Sequence, residues 1–296
     1  MPFMPRTLAA LFASAVLGAP AFAEPAMWTL KDSDTTIHLF GTIHLLPEDT
    51  DWKSERIKAA LDASDSICFE VDVEGRATEA LGLTFNHGII KDGTRLTDKI
   101  TDAQEKDLRE AAEFLGIPFP SLNVMQPWFA SLTLSEYAYD KMGLEEGVEF
   151  SLYPQIRQEG KTLCEMETLD EQLGSFWRMP EDIQVEVLFA EPEGAEGLDQ
   201  TELLELGEAE FTDLLDDWLA GDVAAIGATI DEEADDNQVF HDALLASRNA
   251  RWVPRIEEML EREGGHIFIA VGAAHLAGKD SVIKMLRDKG YEIEGP

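Results

Sequence analysis

Near opposite ends of the chain, two apolar runs of β type, residues 36–40 and 266–271, lead straight into a Gly-x-x-His tetrapeptide. The two are Gly41-Thr42-Ile43-His44 and Gly272-Ala273-Ala274-His275. A run that is apolar at nearly every position suits a strand covered on both faces, as in a sheet sandwiched between helices. With 22 glycines and six histidines in 296 residues, fewer than one such tetrapeptide is expected by composition. Two, each at a strand end, therefore constrain the fold: both ends of the chain are read as strand, Gly-x-x-His, helix. In open α/β sheets the loops at the carboxyl ends of strands form the ligand crevice. A glycine there permits a sharp turn that swings a histidine three residues on over the sheet edge.

Between these ends lies a third buried run, Ser66-Ile67-Cys68-Phe69, which ends in Glu70-Val71-Asp72. A first strand is expected over 27–30, and Ile57, Ala60 and Leu61 fall at helical spacing within 51–63. The middle reads as mostly helical. Thr101 and Gln104 form a capping box for a helix that Gly116 stops. Pro127 suits the first turn of a helix ending before Gly143. A short strand is expected over 162–167, then helices over 170–190, 209–219 and 237–263, the last interrupted near Pro254. Residues 194–207 and 232–236 read as polar loops. A helix over 280–289 and a strand over 291–294 close the chain. The expected fold is α/β: a central, largely parallel or mixed β-sheet flanked by helices, forming a single domain over 24–296 with a helical middle section at about 100–260. No tandem repeat appears.

The first 23 residues read as a cleaved signal peptide. Arg6 is the only charge before Glu24, an apolar run covers 8–17, and Ala21-Phe22-Ala23 is an A-x-A cleavage site. The run is too short to span a bilayer, which needs about 20 apolar residues. The mature chain is thus expected in the periplasm or outside the cell, without insertion in the membrane. Its 59 acidic residues against 23 basic ones give a net charge of −36. Such a chain repels phosphates and anionic headgroups, which argues against nucleic acid or membrane surfaces as partners. An oxidising compartment permits one disulfide between Cys68 and Cys164. Each sits in an apolar run as a small buried side chain would, which favours free thiols.

If the three strands are parallel neighbours, His44, Glu70 and His275 converge at one edge. Two imidazoles and a carboxylate are the ligand set of a catalytic zinc, manganese, cobalt or iron site, where the ion would activate water. A metal-free arrangement, with histidine as base, uses the same residues. A lone histidine at a strand end is ordinarily structural, and His38, His87, His241 and His266, which lack the motif, are read as structural or exposed; two matched sites with a matched carboxylate point to chemistry. Asp72 is a candidate partner for a histidine, and Glu167 closes another strand. Arg248 and Asn249, on the long helix before the second motif, are candidates for positioning substrate or stabilising an oxyanion, Arg248 through a bidentate contact.

Taken in order, Leu39-Phe40-Gly41-Thr42-Ile43-His44, Phe69-Glu70-Val71-Asp72, Gly147, Glu167-Thr168 with Gln172, Arg248-Asn249 and Val271-Gly272-Ala273-Ala274-His275 resemble the TraB/GumN family throughout the mature chain. That family is related to the Tiki proteins, secreted metalloproteases that use two G-x-x-H motifs and a glutamate with a divalent metal. The resemblance implies that His44, Glu70 and His275 form the metal and catalytic set, with Arg248 and Asn249 at the site and Gly41, Asp72, Glu167 and Gly272 around it. The expected function is a metal-dependent hydrolase acting on peptides or another small-molecule substrate. The rival is a non-catalytic periplasmic protein that binds metal, haem or peptide in the same crevice, or regulates from it.

Overall fold

The computed structural model describes residues 24–190, 194–262 and 264–296, so the expected signal peptide lies outside the described residues. Among the described residues eight strands form two sheets: β1 Met27–Lys31, β2 Thr35–Thr42, β3 Leu45–Pro47, β4 Ser66–Phe69, β5 Leu144–Glu146, β6 Thr162–Glu165, β7 Gly265–Gly272 and β8 Ile293–Glu294. Six of them make the main sheet in the order β6-β4-β7-β2-β1-β8, and β3 pairs with β5 in a small sheet of its own. Strands β6, β4, β7 and β2 run parallel, whereas β1 and β8 join antiparallel at one edge, giving the mixed α/β sheet.

The alternation of side chains along each strand divides the apolar residues between two faces. Ile37 and Leu39 of β2 and Ile267, Ile269 and Val271 of β7 pack with Trp252, Val253 and Ile256 of the helix Ser247–Arg262. On the other face Phe40, Phe268, Ile67 and Phe69 pack with Ile57 and Leu61 of the helix Glu55–Ala63, with Leu152 and Ile156 of Val148–Glu159, and with Trp218 of Gln200–Ala220. A third, separate cluster around Leu96, Leu108 and Leu122 belongs to the helical middle.

Several expectations need correction. Cys68 and Cys164 are not free thiols: they are joined by a disulfide, with Cα atoms 4.3 Å apart. Cys68 is buried as expected and Cys164 half-buried, but β4 and β6 are direct neighbours in a register that opposes Cys68 to Cys164, and sequence spacing carries no register. The segment 170–190 holds two helices, Leu169–Trp177 and Glu181–Leu188, parted at Pro180, which cannot continue the first. The loop expected over 194–207 contains the start of the helix Gln200–Ala220, where Asp199 caps the Thr201 and Glu202 amides and Glu202 answers in a capping box. The loop expected over 232–236 lies inside the helix Val223–Asp236. In 237–263 the helix is interrupted earlier than Pro254: Gln238–His241 passes into a π-helical turn, Asp242–Ala246, before Ser247–Arg262, which continues through Pro254. Among the described residues no helix is long and apolar enough to cross a membrane.

Candidate active site

The order of the four parallel strands sets out the site. Their carboxyl ends lie side by side, so Glu167 follows β6, Glu70 follows β4, the turn bearing His275 follows β7, and His44 follows β2. His44 Nε2 lies 3.8 Å and His275 Nε2 3.6 Å from Glu70 Oε1. Gly272 donates its amide to the same Oε1 at 2.8 Å. A Cβ on Gly272 would stand 3.2 Å from Glu70 Oε1 and 3.3 Å from His44 Nε2, so the motif's glycine keeps open the space between these side chains.

The two histidines are held differently. Asn249 donates Nδ2 to the Asp280 carbonyl at 2.8 Å, which turns its Oδ1 toward His275 Nδ1 at 2.6 Å. Nδ1 must therefore carry the proton, and Nε2 accepts from Arg248 Nη1 at 3.1 Å. Burial, beside Trp252, pushes the His275 imidazole down to about 3, so it is neutral. His44 instead leaves its side chain 60% exposed and points Nδ1 at Glu149 Oε1, 2.9 Å away. Burial works against its charged form, but the charge and hydrogen bond of Glu149, with the charge of Glu70, outweigh it and raise the pKa to about 9. The side chain's open face makes the carboxylates the more secure part of that balance.

Glu149 is the functional residue that sequence reasoning missed. Strand β5 pairs with β3, opposing Glu146 to Leu45, and this brings the Gly147 amide onto the His44 carbonyl at 2.9 Å. A Cβ on Gly147 would meet the Ile43 oxygen at 2.3 Å, so only glycine fits this approach. The helix Val148–Glu159 starts there, and Glu149 in its first turn reaches Thr42 Oγ1 as well as His44. The one signal for it was Gly147, which the family resemblance had already picked out.

Beneath the imidazoles lies a buried ionic network. Arg248 donates Nε and Nη2 to Glu167 Oε1, Nη2 also to Glu70 Oε2 at 2.5 Å, and Nη1 to the Leu244 carbonyl and to His275. All five guanidinium N–H groups are thereby engaged within the protein. Arg248 and Asn249 are thus turned toward other side chains of the site, and Arg248, though it lines the cavity, has no N–H left for a bidentate contact with a ligand. Gln172 adds a hydrogen bond to Glu70 Oε2 at 3.0 Å. Burial disfavours the Glu70 anion, but the charges of Arg248 and His44 and the Gly272 amide together hold its pKa far below the usual carboxylate range. Burial raises that of Glu167, against the pull of Arg248.

Two expected neighbours lie elsewhere. Asp72 does not support a histidine: its Oδ1 accepts from Tyr153 Oη and the Gly75 amide and so fixes the turn after β4. Gly41 offers its carbonyl to Trp218 Nε1 at 2.8 Å and lets the β2 and β7 turns approach closely. His241 is buried, as a structural histidine would be, but it also lines the cavity above the site, its Nε2 3.2 Å from Asp280 Oδ2.

The donor chemistry suits a divalent ion in one respect: Glu149 and Asn249 hold both Nδ1 atoms, leaving both Nε2 atoms turned inward. The arrangement does not fit one. Arg248 engages His275 Nε2 and Glu70, Gly272 engages the other Glu70 oxygen, and among the described residues no group of three or more His, Cys, Asp or Glu side chains could hold a metal ion.

The TraB/PrgY/gumN family model matches residues 26–295. The chain is similar to the uncharacterized protein YbaP of Escherichia coli (strain K12), 25% identical over 277 residues that cover 92% of this chain and 96% of that protein. The YbaP of Shigella flexneri matches to the same extent. No solved structure matches the chain. With all but its first 25 residues and its last one matched, the chain belongs to the TraB/PrgY/gumN family.

Proposed function

We propose that the protein is a hydrolase of peptide bonds, acting outside the cytoplasm, in which His44 activates water. The observation that carries this reading is the setting of His44: exposed, with Nδ1 tied to Glu149 and Nε2 turned toward Glu70 on the floor of a cavity of about 370 Å³. Neutral His44 is the base in the reading. The separation of 3.8 Å between its Nε2 and Glu70 Oε1 lets one water donate to both acceptors while its lone pair faces a substrate carbonyl. As the proton moves to Nε2, Glu149 stabilises the imidazolium, the role a buried carboxylate plays beside a catalytic histidine. Imidazolium His44 then returns the proton to the leaving amine. Arg248 holds Glu70 and His275 in place throughout. The Cys68–Cys164 disulfide supports an oxidising compartment.

The test is turnover of a blocked peptide library by the mature chain, purified without a histidine tag or chelator. We expect turnover that survives chelation and falls by at least ~10²-fold in His44→Ala. About one equivalent of zinc, manganese, cobalt or iron by elemental mass spectrometry, with turnover abolished by chelators, would overturn this route in favour of a metallohydrolase. Tight peptide binding with no turnover would favour the non-catalytic rival.

A further inference from the structure

The cavity over His44 has a polar floor and an apolar wall. Thr42, His44, Glu70, Gly272 and His275 make the floor; Leu214, Ile226, Ile230, Phe240, Leu244 and Leu245 rise from the middle helices around it. Ile226 and Ile230 are one turn apart on Val223–Asp236, so they present one apolar edge. Phe240 and Leu244 straddle the junction with the π-helical turn, the irregularity that also precedes Arg248. Of these six, Ile226 is buried in the protein's own core, but Ile230, Phe240, Leu244 and Leu245 are only half-buried and Leu214 is 37% exposed. All six line the same cavity as His44, Glu70 and His275.

We infer that this chamber receives a large uncharged apolar side chain, of leucine or phenylalanine kind, adjacent to the peptide bond that His44 hydrolyses; the inference rests on the hydrolase reading above. Size and charge carry it. A dry apolar cavity of about 150 Å³ holds a benzene ring, so the 370 Å³ here accommodates one such side chain together with its adjoining peptide unit. Among the charged residues lining the chamber, Arg248 has every N–H engaged, so it has no donor left to pair with an acidic side chain. Glu70 is engaged by Arg248, Gln172 and Gly272, which leaves it poorly placed to receive a lysine. With His44 neutral, the state in which it serves as base, an acidic residue would also meet the Glu70 anion directly, whereas an apolar one buries the wall at no electrostatic cost.

The experiment varies one residue, Gly, Leu, Phe, Asp or Lys, on either side of an otherwise fixed blocked peptide, and reads both turnover and, by calorimetry, binding of the matching N-acetyl amino-acid N-methylamides. Wild type should favour Leu or Phe over Gly by roughly 10-fold to 200-fold in kcat/KM and reject Asp further. Leu245→Trp and Ile230→Phe, which fill the chamber, should each narrow or reverse the Leu-to-Gly ratio while Gly turnover persists. A flat preference with turnover intact, or filled variants that slow all substrates equally, would overturn the chamber and leave the hydrolase. Graded binding that the filled variants abolish, with no turnover of any peptide, would uphold the chamber and remove the hydrolase reading. Flat binding without turnover would remove both.

Discussion

His44 and His275 share a motif and end in opposite protonation states. His275 is sealed against Trp252 with its tautomer dictated through Asn249, while His44 stands in the opening between Glu149 and Glu70. The pKa of about 9 at His44 has two consequences. As a base it works only when deprotonated, so kcat/KM should climb with pH to a plateau above about 9, and Glu149→Gln should move the midpoint down toward the ordinary value of 6.5. A rate that instead falls as pH rises through about 9 would make His44 an acid. For stability the sign is opposite: the ion pair with Glu149 contributes fully below the unfolded imidazole's pKa, near 6.5, and is lost as pH rises through about 9. Gly272→Ala, which crowds Glu70 and His44, should cost roughly 10²-fold in turnover by displacing the reacting groups, with a circular dichroism spectrum like that of the wild type. Arg248 is a harsher case. Arg248→Met strands two buried carboxylates, and a loss of about 3–5 kcal/mol in urea unfolding is expected, which Arg248→Lys should only partly restore because an ammonium cannot reproduce the planar fork.

At the scale of elements, the disulfide ties together the two strands that deliver Glu70 and Glu167. It closes a loop across a sequence separation of 96, so Cys68→Ala/Cys164→Ala should lower stability by about 2–5 kcal/mol, and reductant should reproduce the loss in the wild type but add nothing in the variant. Helices were legible where their ends carried side-chain signals: Asp102–Leu115 begins at the Thr101–Gln104 box and ends at Gly116, in the left-handed conformation at φ 77°. Among the helices that escaped notice, Val223–Asp236 ends in the acidic stretch read as a polar loop, and two more carry weak or contradictory signals. Ala77–Gly88 has no side-chain cap and buries only Gly88, so it shows no apolar stripe. Val148–Glu159 lacks a side-chain N-cap and carries Pro154 in its interior. Missing that helix meant missing Glu149.

For the whole molecule, a net charge of −36 is self-repulsive, and salt screens that repulsion beyond a Debye length, about 10 Å at 0.1 M. The melting temperature should therefore rise when sodium chloride goes from ~0.01 to ~0.5 M, and a fall would mean that attractive pairs outweigh the repulsion. The chain's own pattern determined the α/β class, the strands that end in His44, Glu70 and His275, and the idea that these three meet, because an apolar run and the residue just past it are local features. Only the tertiary structure decided the order β6-β4-β7-β2, the Cys68–Cys164 pairing, the arrival of Glu149 through the β3–β5 pair, and the closure of Arg248 on Glu70, Glu167 and His275. Each of these joins residues at least 26 positions apart. Strand order and register are set by how whole faces pack, and burial then decides which charges must find partners, so neither is written in the spacing of any one segment.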